Sequence, residues 1–172
     1  MTRWKSKDIA ANLILPKKGE LKSVRSKAYW SPVIEKNNSV LIGIDPGTNT
    51  GIAVKERGKF VSVETKTIFQ AIRTVQAWEK HCIAFEMPLF VTIEDARLRT
   101  YFGRSDREKL QGAGSVKRDC AIWQEVLEEL SIPHRFVHPK NVKATTAKQF
   151  EQITGWTKQT SIHAREAAWL IV

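Results

Sequence analysis

The sequence predicts an α/β fold: a mixed five-stranded sheet, made of an antiparallel three-strand meander plus two helix-connected strands, with helices on both faces. Three observations predict it. "VLIGID" and "LFVTIED" are nearly continuous apolar runs, the composition of strands buried on both faces. Between them, "IAVKERGKFVSVETKT" alternates and turns tightly, as paired antiparallel strands do. From residue 68 onward, helical periodicity alternates with short apolar runs, the pattern of strands joined by helices.

Taken in order, residues 1–38 read as a basic, largely irregular arm. Nine Lys and Arg stand there against Asp8, Glu20 and Glu35, a local balance of +6 within a chain total of +10. Pro16 and Pro32 interrupt any longer helix and leave one short amphipathic patch at 9–15. Residues 39–172 read as a single domain. Its first strand, "SVLIGID", runs into "PGTNTG", which is turn chemistry. The second and third strands turn at Arg57-Gly58. Ile68, Ile72, Val75 and Trp78 mark one face of a helix over 68–80. After the fourth strand comes a long helix at about 106–130, with Ile122, Val126 and Leu130 stacked at i, i+4. "HRFVHP" is a short fifth strand, and 141–153 and 161–172 read as the last two helices.

At 172 residues the chain suits one well-buried domain. No apolar run approaches a membrane span, and no apolar core with a cleavage site follows the basic N-terminus, so the expectation is a soluble cytoplasmic protein. Cys82 and Cys120 lie far apart and in no CxxC pair, which gives neither a zinc signature nor a disulfide framework. They read as buried thiols. The net charge of +10 is the footprint of a phosphate-rich partner.

Two of the buried-looking strands end in acid, at Asp45 and at Glu94. The carboxyl ends of central strands are where open α/β sheets bind ligands. Carboxylates brought together there repel, and either take up a proton or bind a cation. Hard oxygen ligands suit magnesium or manganese. In "SIHAREAAWLIV", His163 and Glu166 share one helical face, and Ala164, Ala167 and Ala168 are small enough to let that helix approach the sheet. Each residue has an ordinary alternative. Asp45 can start a turn before Pro46-Gly47, Glu94 can pair with Arg97 or Arg99, His163 can cap its helix, and Glu166 can be a solvated acid. One metal site accounts for all four.

"LIGIDPGTNTGIAV", the strand ending at Glu94, the long helix and "HAREAAWLI" resemble, in that order, the RuvC family of Holliday-junction resolvases over residues 39–172. The resemblance implies a ribonuclease H-like fold and a metal-dependent endonuclease that nicks opposed strands of a four-way DNA junction. It places two Mg2+ ions, with Mn2+ as a substitute, on Asp45, Glu94, His163 and Glu166. Glu166 stands where the family more usually has Asp. Lys143 and Lys148, in "HPKNVKATTAKQF", match lysines that contact DNA near the scissile phosphate, with Lys148 offsetting charge there. The stretch "DARLRTYFGRSDREK" supplies Arg97, Arg99 and Arg104 for DNA, and Tyr101 or Phe102 to stack on opened bases. A homodimer through the helix at about 106–130, which carries "LQGAGSVKR" near its start, is implied too. A compact resolvase with a basic arm suits a phage or mobile element acting in host cytoplasm.

Two other readings stay open: another ribonuclease H-like nuclease, acting on branched DNA or an RNA–DNA hybrid, and a decayed DNA-binding module. "GIDPGTNTG" is also similar to the phosphate loop of sugar kinases and actin-like ATPases. Those need two domains and far more chain, and there is no GxxxxGK[ST] loop.

Overall fold

The computed structural model describes residues 38–99, 107–141 and 145–172, the side chains of 107–113 and 141 excepted. Residues 1–37 of the basic arm lie outside them. Strand β1 (Val40–Asp45) buries every residue except Leu41 and sits at the centre of the sheet. It pairs antiparallel with β2 (Thr50–Glu56), which pairs antiparallel with β3 (Lys59–Lys66). On its other side β1 runs parallel to β4 (Leu89–Glu94), and β4 runs parallel to β5 (His134–Val137). The order β3-β2-β1-β4-β5 is the expected meander plus two helix-connected strands. Arg57 (φ 48°) and Gly58 (φ 79°) both take left-handed conformations, as a two-residue hairpin between twisted strands demands.

Helix α1 (Ile68–Ala84) begins at a capping box in which Thr67 and Gln70 satisfy each other's backbone N–H groups. It runs four residues past the expected end at 80, because Cys82 continues the buried stripe of Ala71 and Val75. Helix α2 (Arg107–Glu129) buries Cys120, Trp123 and Leu127, whereas Ile122 and Val126 stay half-buried. The inward stripe is therefore one residue away from the one the i, i+4 spacing suggested. Trp123 removes more apolar surface from water than Ile122 does, and it sets the rotation of the helix.

The helix expected from 141 instead starts at Ala147. Pro139–Asn141 form a short 3-10 turn, and α3 (Ala147–Thr154) starts at a second capping box, Thr146 with Gln149. Gly155, at φ 72°, ends it. Helix α4 (Ile162–Trp169) is capped by the Ser161 hydroxyl, which accepts the Ala164 N–H. It stops short of 172, with Leu170 and Ile171 buried beyond it.

The sheet is covered on both faces. On one, Ile42, Ile44, Ile52, Val54, Val91 and Ile93 pack with Ala71 and Val75 of α1 and Trp123 and Leu127 of α2. On the other, Ala53 and Val63 pack with Phe150 of α3 and the α4 alanines. Both cysteines are buried free thiols, pushed up to about 11 chiefly by burial. Among the described residues, no helix is long and apolar enough to cross a membrane.

Candidate metal centre

Strand alternation decides which way the acids point. Val40, Ile42 and Ile44 of β1, and Val91 and Ile93 of β4, belong to the core under α1 and α2. Asp45 and Glu94 therefore project from the opposite face, the one that α4 covers. The parallel register pairs Ile44 with Ile93, so the two acids stand side by side where their strands end.

Glycine lets α4 meet them. A Cβ at Gly43 would overlap the carbonyl of Ala167, and one at Gly51 would overlap the carbonyl of His163. Ala164, Ala167 and Ala168 are fully buried in this seam. The helix backbone thus rests directly on the strands, and its first turns lie over the end of β1. His163 Nδ1 comes to 2.8 Å from Asp45 Oδ2 and 3.8 Å from Glu166 Oε2. One ligand atom from each of Asp45, His163 and Glu166 lies within 4.8 Å of the others. Glu94, also expected as a ligand, lies outside this group, its Oε1 3.5 Å from Arg99 Nη2.

Burial lifts the Asp45 carboxyl to about 6, against the opposing hydrogen bond and charge of His163, and Glu166 adds to the rise. Burial, followed by the negative charge of Asp45, lifts Glu94 to about 7; Arg99 opposes this and Glu166 adds to it. Near neutral pH the site is short of positive charge. A divalent cation would supply it, and the donor set fits one: carboxylate oxygens, plus an imidazole whose Nδ1 is turned into the cluster. This mixture suits magnesium or manganese, manganese the better for the nitrogen.

The other expected site residues are distributed differently. Arg97 is half-buried and committed to partners within the protein. Its guanidinium donates to both oxygens of buried Asp95 (2.8 and 2.9 Å) and to Gln124 Oε1 on α2 (2.8 Å), and it lies over the Phe136 ring. Asp95 also accepts the Arg97 backbone N–H, fixing the turn just after Glu94. Lys148 is exposed on the first turn of α3. Tyr101, Phe102, Arg104 and Lys143 lie outside the described residues. Sequence reasoning missed Gly43 and Gly51, although both fall on the Asp45 face of their strands. It also passed over Asp95 and Arg165 as ordinary charges.

No protein-family model matches the chain, and no curated protein matches it. Two solved structures of RuvC from Thermus thermophilus are similar to it. One, in complex with Holliday junction substrate, has 19% identity and a TM-score of 0.46, covering 77% of this chain and 89% of that one. The other has 18% identity and a TM-score of 0.42, covering 76% of this chain and 90% of that one.

Proposed function

We propose that this chain is a divalent-metal-dependent endonuclease that resolves four-way DNA junctions by paired nicks in opposed strands. One observation carries the reading. Asp45 and the His163–Glu166 pair, distant in sequence, converge at one end of the sheet, with Glu94 nearby on the neighbouring strand, and burial raises both strand carboxyls. Two bound Mg2+ or Mn2+ ions would supply an activated water and charge stabilisation for in-line displacement at phosphorus.

The chain's own residues do the rest. Asp45, Glu94, His163 and Glu166 would hold the ions. The rigid β1 strand fixes Asp45, and the glycine seam fixes the helix pair. Lys148 offsets charge that builds on the phosphate. Arg99, Arg104 and Lys143 bind the backbone, and Tyr101 or Phe102 stacks on opened bases. Arg97 serves this surface indirectly, by holding the turn that leads to Arg99. The arm at 1–38 adds phosphate contacts. The protein works as a homodimer through α2, in the cytoplasm. Because all four ligand positions carry competent side chains, a decayed binding module is the weaker reading.

The test is cleavage of a mobile four-way junction, with nick positions mapped, beside a flap and an RNA–DNA hybrid. Paired nicks in opposed strands are expected at the junction. Asp45→Asn is expected to fold and bind but not cut with either metal. Full cleavage by that variant overturns the site, and equal cleavage of the hybrid overturns the junction specificity.

A further inference from the structure

Arg165 lies between His163 and Glu166 in sequence, yet it is buried, at 8% exposure. Its side chain reaches into two loops. Nε donates to the Thr145 carbonyl (2.9 Å), while Nη1 donates to the Thr160 carbonyl (2.8 Å) and lies 3.2 Å from the Thr160 hydroxyl. Trp169 Nε1 adds a second tie from α4, donating to Thr145 Oγ1 at 2.7 Å. Thr145 immediately precedes Thr146, the cap of α3, and Lys148 follows within the first turn of that helix.

Helix α3 needs such ties. It has eight residues and a single buried side chain, Phe150, so packing alone leaves the direction of its first turn undetermined. Among the described residues no carboxylate pairs with the Arg165 guanidinium, whose partners are carbonyl and hydroxyl oxygens. A buried cation without a counter-ion is costly, and retaining one implies a use for its rigid, many-directional donor geometry. A lysine in its place has no planar fork with which to join two loops.

We infer that Arg165 is a positioning residue for DNA binding: it fastens the segment carrying Lys148 to the same helix that carries His163 and Glu166. The lysine and the metal ligands then keep one separation, so that a phosphate held by Lys148 lies in register with the metal centre. This inference rests on the nuclease reading.

The experiment compares Arg165→Met, Lys148→Ala and the double variant in the full chain. Mn2+ affinity is read by calorimetry, and four-way-junction affinity across a salt series. Arg165→Met is expected to keep Mn2+ affinity within about twofold. Its junction Kd should rise about tenfold, and its salt slope should fall by about 1, the loss of one phosphate contact. Lys148→Ala should do the same, and the double variant should add little to either, because the two residues act as one unit. Unchanged junction affinity in Arg165→Met, or losses that simply add to those of Lys148→Ala, overturn the inference. If Arg165→Met does not fold, Arg165→Lys decides. It keeps the buried charge without the planar fork, and about a threefold loss that vanishes in the Lys148→Ala background is expected; no loss, or additive loss, overturns. Wild-type protein that binds metal and junction but cuts nothing removes the nuclease reading while leaving this coupling measurable.

Discussion

Asp45 and Gly51 are register partners across the β1–β2 ladder, and the space a side chain at Gly51 would fill is taken by the carbonyl of His163. The proposed metal ligand on the strand and the one on the helix are therefore brought together by an absence. A single hydrogen atom at Gly51 sets how closely α4 can approach Asp45.

Gly51→Ala is accordingly expected to lift the start of α4. The cost should be about 1–3 kcal/mol, typical of an overpacked seam, with Mn2+ affinity falling by at least about tenfold. Gly47→Ala, in the adjoining turn, is the control, because a Cβ there meets nothing within 4 Å. Its stability should stay within about 0.5 kcal/mol of the parent. Thermal melts with and without Mn2+ read both variants.

Acidity supplies a second expectation. Asp45 and Glu94 titrate at about 6 and about 7 in the fold, above their ordinary values of 3.8 and 4.5. A raised carboxyl makes the folded state bind more protons than the unfolded one. Its stabilising contribution is thus complete below the unfolded pKa and is lost as pH rises through 6 to 7. The metal-free protein should melt several degrees lower at pH 8 than at pH 5 on this account, and Asp45→Asn combined with Glu94→Gln should flatten the dependence. Metal binding runs the other way. The ligands must shed protons, so Mn2+ affinity should climb across the same window and chelation should destabilise most at high pH.

The Asp95–Arg97 pair makes a third. Arg97→Ala leaves a carboxylate of 5% side-chain exposure without its partner, a loss of about 3 kcal/mol by denaturant unfolding. Arg97→Lys should recover only part of it, since an ammonium cannot grip both oxygens and Gln124 at once. Equal stability of the lysine variant would show that the fork geometry is dispensable.

The basic arm makes the fourth. Deleting residues 1–36 removes a local balance of +6. Junction binding should weaken and its salt dependence should flatten, because counterion release scales with the phosphates neutralised. An unchanged slope would make the arm a passive leader.

Much of the fold was legible because burial on both faces leaves a plain mark. β1 and β4 read as apolar walls, so the acids at their ends stood out as Asp45 and Glu94. The hairpin at Arg57-Gly58 and the pairing of His163 with Glu166 were equally direct, since turn chemistry and helical spacing are local. What escaped depended on partners far along the chain. Nothing near Gly51 says that a helix more than a hundred residues later needs its space. Arg97 looked like one basic residue among several until Asp95, Gln124 and Phe136 surrounded it. The rotation of α2 turned on Trp123, whose weight against Ile122 emerges only in a packed core. The start of α3 was visible in Thr146 and Gln149 as a capping box, a local signal outweighed by the apolar spacing around it.

The contact between Asp45 and His163 joins positions 118 residues apart. A ribosome makes β1 early and α4 late, so a growing chain carries the strand acids long before the helix that completes the cluster. During that interval the carboxylates of β1 and β4 have no imidazole beside them, and the glycine seam stays open. On the proposed reading, the metal site is complete only once α4 docks. On that reading, a chain without α4 would lack His163 and Glu166, and with them half of the proposed ligand set.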